Sequence, residues 1–592
     1  MSPAEEYRRR LEKRNAEIGR LDRRHAHIGA VRVSLGVAMI AVAWFALWAR
    51  AISPLWLVAV LALFAGVVFY HRSVLGRRAR SARVVTFYEN RMARIEDRWI
   101  GTGATGERFA GPHHVYSADL DLFGKGSVFE LLSMAYTRMG EETLAKWLLA
   151  PASVETIRAR HAAIADLRDR LDLREDLATL AERSTAGVHP AALLAWASAP
   201  NELDRRWIRA LALLLPLLAI GTAVVWAAWG FASPFLLTLA AEYAVIRVLK
   251  DRWERVLHGT ENAFDDLRLF ARVLLRLESE SFSAAPLRAL IERLSSHTRP
   301  ASATVGALGT VVSFVEARRN PILAVLQLPL LYPIQTALAA ERWRRANGAA
   351  VGAWVDVVGE CEALISLAAH SYEHPDDSFP EFVTGAACFE AAEAGHPLLP
   401  AARCVRNDVS VCGPTRVLLI SGSNMSGKST LLRTVGINTV LAMAGAPVRC
   451  RALKLTPLQL GASIRINDSL HEGSSRFYAE ITRLRQLLIS TEGPLPLLFL
   501  LDELLQGTNS SDRRVGAEGI MRAFVERGAI GLISTHDLAL TELHGLDARA
   551  LHNVHFQDEL EDGRLKFDFR LREGVVTRSN GVELMRSIGL KV

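Results

Sequence analysis

Gly422-Ser423-Asn424-Met425-Ser426-Gly427-Lys428-Ser429-Thr430 follows an apolar run, Val417-Leu418-Leu419-Ile420, and leads into Leu431-Leu432-Arg433. The run reads as a buried parallel strand, the glycine stretch as a loop, and the sequel as the start of a helix. Strand, loop and helix in this order make the phosphate-cradling spacing G-x-x-x-x-G-K-S/T. Its glycines let backbone N–H groups close on phosphate oxygens, and the helix N-terminus adds partial positive charge. In such a loop Lys428 reaches the β/γ-phosphates and the Ser429 hydroxyl holds Mg²⁺. The expected ligands are therefore ATP and Mg²⁺.

The partner of such a loop is an apolar strand ending in acids. Leu497-Leu498-Phe499-Leu500-Leu501-Asp502-Glu503 supplies it. Asp502 is expected in the Mg²⁺ shell, and Glu503 is expected to position or deprotonate the attacking water. A third strand, Ala529-Ile530-Gly531-Leu532-Ile533-Ser534, ends in Thr535-His536-Asp537. His536 at that strand end reads as a γ-phosphate sensor.

GSNMSGKST, LLDELLQGTNSSD (501–512 with its leading Leu500) and STHDLALTEL together resemble the ATPase domain of the MutS mismatch-repair proteins, within the wider ABC-type ATPases. Gly473-Ser474-Ser475-Arg476-Phe477-Tyr478-Ala479-Glu480 is similar to the family's loop and helix between the first two motifs. Asn553-Val554-His555-Phe556 and Ser579-Asn580-Gly581 fit its closing hairpin and last helix. Upstream, the stretch from Asp119-Leu120-Asp121 to Pro151 looks like the start of the MutS core. Gly395-His396-Pro397-Leu398 with Asn407-Asp408 looks like the entry to the ATPase. The resemblance implies a homodimer in which each ATP is completed by the opposing subunit's signature loop, here Gly507, Thr508, Asn509 and Ser510. It also implies an association with DNA.

The sequence departs from that family at several points. The family's mismatch-reading and connector domains are expected ahead of the core, and the stretch before Asp119 leaves no room for them. Phe87-Tyr88-Glu89 has the spelling of the family's Phe-x-Glu wedge, but its helical, Arg-studded setting makes that a coincidence. The chain is expected to stop at Gly589-Leu590-Lys591-Val592 without a helix-turn-helix tail. The aromatic residue that stacks on adenine in the family aligns near Cys404.

Membrane segments are expected instead. Residues 33–49 and 54–70 are uncharged apolar runs split by Arg50-Ala51-Ile52-Ser53, each near the lower limit of ~17 residues for a crossing. Residues 210–241 carry no charge and break at 230–234 into a second hairpin. Arg72, Arg77, Arg78, Arg80 and Arg83 follow the first hairpin. Arg205, Arg206 and Arg209 precede the second, and Arg247, Lys250 and Arg252 follow it. Basic flanks put both ends of each hairpin in the cytoplasm. The expectation is a multi-pass protein of the inner or plasma membrane, in contact with lipid, with four crossings and a cytoplasmic ATPase. Run 321–340 carries Gln327, Gln335, Pro329 and Pro333, and parity makes it a buried stretch of the core. Glu242 lies midway along the last arm, where a carboxylate is costly, ~2.5–3.5 kcal/mol on insertion scales. Either it snorkels toward Arg247 or Lys250, or it faces the hairpin or dimer interior.

Half of the 592 residues are apolar, and the excess lies in the hairpins; the net charge of +7 is largely membrane-flanking Arg and is weak grounds for nucleic acid. Residues 1–28 are charged and helix-prone, unlike a cleavable signal. Cys361, Cys388, Cys404, Cys412 and Cys450 are scattered, which points to neither a disulfide framework nor a zinc site. Residues 154–182 read as one helix with Ser153 as N-cap and Ile157, Ile164, Leu167 and Leu171 on its apolar stripe. Segments 251–300 and 341–372 read as paired long helices, the family's levers.

The fold class expected is multidomain, with α-helical membrane hairpins, a MutS-like helical core and lever region, and a C-terminal α/β P-loop ATPase. Its parts are a charged helix at 1–28, a hairpin at 29–71, a linker helix at 72–116, core at 117–204, the second hairpin at 205–250, lever at 251–394 and ATPase at 395–592. Three functions stay open: a membrane-anchored ATPase acting on DNA, an ATP-driven membrane machine, and an ATP-switched scaffold.

Overall fold

The computed structural model describes residues 1–592 except 112, 182–189, 258–263, 296–298, 318–326, 466–475, 543–546, 548, 562–563 and 577–592. It divides into two compact units, Met1–Arg98 with Arg170–Ala186, and Trp99–Asp169 with Gly187–Val592.

In the first unit the charged N-terminal stretch and the first apolar run form one helix, Pro3–Ala43, ending in a π turn, Trp44–Trp48. Ser2 and Glu5 close a reciprocal capping box at its start. The second run and the expected linker are likewise one helix, Leu55–Ile95. The pairs His25–His71, Asp22–Arg78 and Arg10–Tyr88 show that the two helices run antiparallel. Their apolar stretches are bare: Ile40, Trp48, Leu55 and Phe69 are all exposed. At the far end the buried rings of Tyr7 and Tyr88 meet tilted, with centroids 5.4 Å apart. The Tyr88 hydroxyl donates to Glu175 of the helix Leu171–Ala181 at 2.9 Å, and Arg10 and Arg14 pair with Asp172 and Glu175. Of Phe87-Tyr88-Glu89, only Tyr88 is buried in this helical hairpin; Phe87 is half-buried and Glu89 exposed.

The single helix expected over 154–182 is broken. Ser153 does cap Val154–Leu167, accepting from the Thr156 N–H at 3.2 Å, but the chain turns at 168–170. Ile157, Ile164 and Leu167 are buried before the turn, and Leu171, Leu173 and Leu177 after it. At 100° per residue Leu173 and Leu177 fall opposite Ile157, so one straight helix could not bury both sets.

In the second unit the apolar stretch from 210 folds as the helices Arg206–Trp229 and Ser233–Val248, joined through Gly230 at φ 76°. Three described helices are long and apolar enough to cross a membrane: Pro3–Trp48, Leu55–Ile95 and Arg206–Trp229. Ser233–Val248, at 16 residues, is shorter than these. Glu242 on it is wholly buried, and neither carboxylate oxygen has a hydrogen-bond partner among the described residues. Pro216 interrupts the first arm and cannot donate to the Ala212 carbonyl one turn back. Gln335 fills the gap, its Nε2 donating to that carbonyl.

Only one of the two long lever segments is continuous. Tyr332–Glu373 is a 42-residue helix, about 63 Å at 1.5 Å per residue. Among the described residues, segment 251–300 instead holds three shorter α-helices, Lys250–Leu257, Phe264–Glu278 and Ala285–Glu292. The Ser279-to-Ser283 stretch and Pro286 stop propagation between the last two. In run 321–340, residues 321–326 lie outside the described ones; Pro333, Ile334, Thr336, Ala337 and Ala340 begin the long helix and are buried. Trp343 Nε1 donates to the Thr304 carbonyl at 2.8 Å, and Glu362 accepts from the Thr137 hydroxyl at 2.7 Å.

Two sheets follow. Strands β1 (Glu381–Phe382), β2 (Phe389–Ala394), β3 (Asn407–Val411) and β5 (Ala452–Leu455) form one, in the order β1-β5-β2-β3. Strands β4 (Val417–Ser421), β6 (Gln459–Ser463), β7 (Leu497–Leu501), β8 (Ile530–Thr535), β9 (Leu551–Glu561) and β10 (Arg564–Glu573) form the other, in the order β10-β9-β4-β8-β7-β6. β4 is central, parallel to β8 and β9, and every residue in it is buried. Burial on both faces explains its unbroken apolar run. Cys388 and Cys412, at the paired ends of β2 and β3, form a disulfide, contrary to the expectation of unpaired cysteines; Cys361, Cys404 and Cys450 are free. Spacing in sequence carried no sign of that pairing, which only the β2–β3 register creates.

Candidate functional site

The glycine loop sits at the C-terminal end of β4, where open α/β sheets place ligands. Gly422 and Gly427 have φ of 155° and 108°, and Met425 has φ 70°. Gly427 heads the helix Lys428–Ala444. Ser423 Oγ and Ser426 Oγ are buried without a hydrogen-bond partner among the described residues. Two orphaned hydroxyls in a glycine loop at a helix N-terminus fit a phosphate chain. Asn424, Met425 and Thr430 are exposed around the loop, and Ser429 is half-buried beside Lys428.

Lys428 is 5% exposed. Its Nζ donates to the carbonyls of Gly422 at 2.8 Å and Ser423 at 2.9 Å, and lies 3.4 Å from Glu503 Oε1. β8 lies between β4 and β7, so Asp502 stands two strands over from the loop. Ser534 Oγ donates to Asp502 Oδ1 and accepts from the Glu503 N–H at 3.0 Å. His536 Nδ1 meets Glu503 Oε2, and Gln506 Nε2 donates to the same oxygen. Glu503 and Leu505 have φ of 56° and 57°. Such backbone costs roughly 1–3 kcal/mol per residue and recurs where a side chain must be aimed.

The loop after Glu503 is held from below. Leu505 N–H donates to the buried Glu480 at 2.6 Å. Arg513 donates to the carbonyls of Leu505, Gln506 and Thr508 at 3.1, 3.3 and 3.2 Å. A Cβ on Gly507 would come within 2.9 Å of Phe477. Asn509 is exposed and caps the helix Ser510–Glu526, accepting from the Asp512 N–H at 2.8 Å. Gly473, Ser474, Ser475 and the stretch Ser579-Asn580-Gly581 lie outside the described residues.

Sequence reasoning missed Gln506, Ser534, Arg513 and Phe569. Phe569 has φ 56° at an irregularity in β10. Asn407 fixes it there: Nδ2 donates to the Phe569 carbonyl at 3.0 Å, and Oδ1 accepts from the Leu571 N–H at 2.7 Å. Phe569 and Cys404 line a cavity of about 210 Å³ that reaches Gly427 and Thr430. An aromatic ring thus stands beside Cys404, where the resemblance left none. The only forewarning was Asn407 in the ATPase entry motif. A larger cleft of about 1110 Å³ between β3 and β10 contains none of Gly422–Thr430.

Asp119-Leu120-Asp121 anchors the helical core on this domain. Asp119 Oδ1 accepts from the N–H groups of Ile464 and Arg465, both at 2.8 Å, and Arg433 Nε donates to the Asp119 carbonyl at 3.1 Å. Burial raises the Asp119 carboxyl, and those two amides act against it. Burial also lowers His396 to about 4, with help from Arg433 and Arg449. A Cβ on Gly436 would come within 2.7 Å of both Leu120 and Leu500. The helix that starts at Lys428 therefore packs backbone-close between core and sheet.

Residues 418–591 match the family described as MutS domain V. The chain is 34% identical over 203 residues to the Endonuclease MutS2 of Thermus thermophilus, covering 34% of this chain and 26% of that protein. It is 32% identical over 260 residues to the DNA mismatch repair protein MutS 2 of Halobacterium salinarum, covering 43% and 28%. To the DNA mismatch repair protein MutS of Shouchella clausii it is 35% identical over 189 residues, covering 31% and 21%. The matches span about a quarter of these relatives' own length. The similarity to the MutS family lies in this C-terminal domain.

Proposed function

We propose that this chain is a membrane-anchored, Mg²⁺-dependent ATPase that works as a dimer and associates with DNA. The observation that carries the reading is the convergence of Lys428, Glu503 and His536 on a glycine loop with orphaned hydroxyls. ATP lies along residues 422–430, its base directed to the Phe569 cavity. Ser429 and Asp502 hold Mg²⁺, which supplies charge neutralisation on the phosphate oxygens. Glu503 orients the attacking water and takes its proton, while His536 and Gln506 hold the carboxylate in place. Asn509 and Ser510 complete the partner subunit's site. The exposed position of Asn509 at a helix N-terminus supports this role.

The exposed apolar helices support the membrane reading. Both termini and the ATPase are cytoplasmic, and Ser233–Val248 is the short fourth crossing. The relatives' names, mismatch repair protein and endonuclease, support a DNA substrate. A second reading, an ATP-driven membrane machine, is favoured by the Gln335–Ala212 hydrogen bond, which joins the long helix to the second hairpin. Salt-dependent DNA binding by the detergent-solubilised protein separates the two. Affinity that falls steeply with salt and responds to ATP supports the first. Absence of DNA binding at low salt rejects it.

A further inference from the structure

His370, His374 and Asp377 gather where the long helix Tyr332–Glu373 ends, apart from the nucleotide site. Each offers one ligand atom, and these atoms lie within 4.8 Å of one another. The histidines are one helical turn apart, with ring centroids at 4.4 Å. His374 Nδ1 donates to the His370 carbonyl at 3.2 Å. That bond fixes the tautomer and leaves Nε2 as the basic nitrogen, the arrangement metal-binding histidines use. His370 is 3% exposed, and its Nε2 is buried without a hydrogen-bond partner among the described residues. It faces Asp377 Oδ2 at 3.4 Å. Two ligands on a tetrahedral zinc stand about 3.4 Å apart when each is ~2.1 Å from the ion.

We propose that His370, His374 and Asp377 form a binding site for a divalent transition-metal cation of the Zn²⁺ class. Two imidazoles and one carboxylate suit such an ion better than Mg²⁺ or Ca²⁺, which take oxygen ligands. Three protein ligands leave a fourth position for water. The neighbouring Arg449 directs its guanidinium to the carbonyls of Pro397 and Leu399, both at 3.2 Å. Ser378, next to Asp377, pairs with Val448 through bonds of 3.1 and 2.8 Å. The cation therefore ties the end of the long helix to the first chain segment that joins the sheet domain.

The test is Co²⁺ titration of the chelator-stripped, nucleotide-free full-length protein in detergent, read by its visible spectrum and by metal analysis. His536→Ala serves as background, because Asp502, Glu503 and His536 offer a second place for a cation. The expected result is one Co²⁺ per chain with the intense visible bands of a tetrahedral centre, displaced by Zn²⁺. His374→Gln and Asp377→Asn, each in that background, should weaken binding at least tenfold. The proposal is overturned if the His536→Ala protein binds no Co²⁺, or if both added variants bind as it does. Should either variant fail to fold, the His536→Ala titration alone decides.

Discussion

Lys428 Nζ lies 3.4 Å from Glu503 Oε1, across the gap between the glycine loop and the end of β7. The cation expected to hold phosphate and the anion expected to act on water thus share one small space. Glu503→Gln should remove the base and leave the loop intact. We expect ATP binding within a few-fold of wild type and turnover lowered by roughly 10²–10⁴, with a long-lived dimer in ATP. Lys428→Ala should abolish binding. Wild-type turnover by Glu503→Gln would remove the assigned role.

Arg513 holds three carbonyls of the loop that ends in Asn509, so loop shape and the crossing contact can be separated. A Lys428→Ala subunit mixed with an Asn509→Ala/Ser510→Ala subunit should regain activity through one intact composite site. Loss of the Asn509 cap alone costs about 1 kcal/mol, too little to unfold the domain. Verified mixed dimers that stay inactive would count against completion in trans.

Glu362, fully buried on the long helix, has its carboxyl raised to about 7 by burial, against the hydrogen bonds from Thr137. Between the ordinary glutamate value of 4.5 and about 7 the folded chain holds a proton that the unfolded chain has released. Stability from this group is therefore full below 4.5 and is lost as pH rises through 7. Thermal unfolding of wild type should shift downward across that window, by on the order of 3 kcal/mol in all. Glu362→Gln should flatten the curve there. Parallel curves for the two proteins would refute the assignment.

Four crossings predict the sidedness of single cysteines. Cysteine at Ser53 or Ser233 should react with impermeant reagent from outside, and cysteine at Ala79 or Ser410 only after permeabilisation. All four positions are exposed, so lack of reaction reports the barrier. Reaction of Ser410→Cys from outside would sink the topology.

The sheet, the glycine loop and the acidic strand end were legible because each is a local pattern: an apolar run, a turn and a charged stop within a dozen residues. Leu120 against Gly436 was not legible, because the two lie far apart in sequence and the glycine stands inside a helix. Phe569 was hidden for a similar reason. Its ring reaches the site only because a bulge turns β10 and Asn407 holds the bulge. The break at 168–170 could have been read from the stripe, since Leu173 and Leu177 lie on the opposite face from Ile157. The Cys388–Cys412 bond needed the strand register, which spacing alone does not contain.

Pro216 and Gln335 carry a genetic consequence. The proline leaves a backbone acceptor open on one helix, and the glutamine of another closes it. Neither residue is neutral to lose while the other remains: Gln335→Ala strands the carbonyl, and replacing Pro216 alone sets two donors competing for it. Changed together, to alanine at both positions, they should be silent. The two positions are thus expected to suppress each other's defects, as a second-site revertant does, and to drift as a pair.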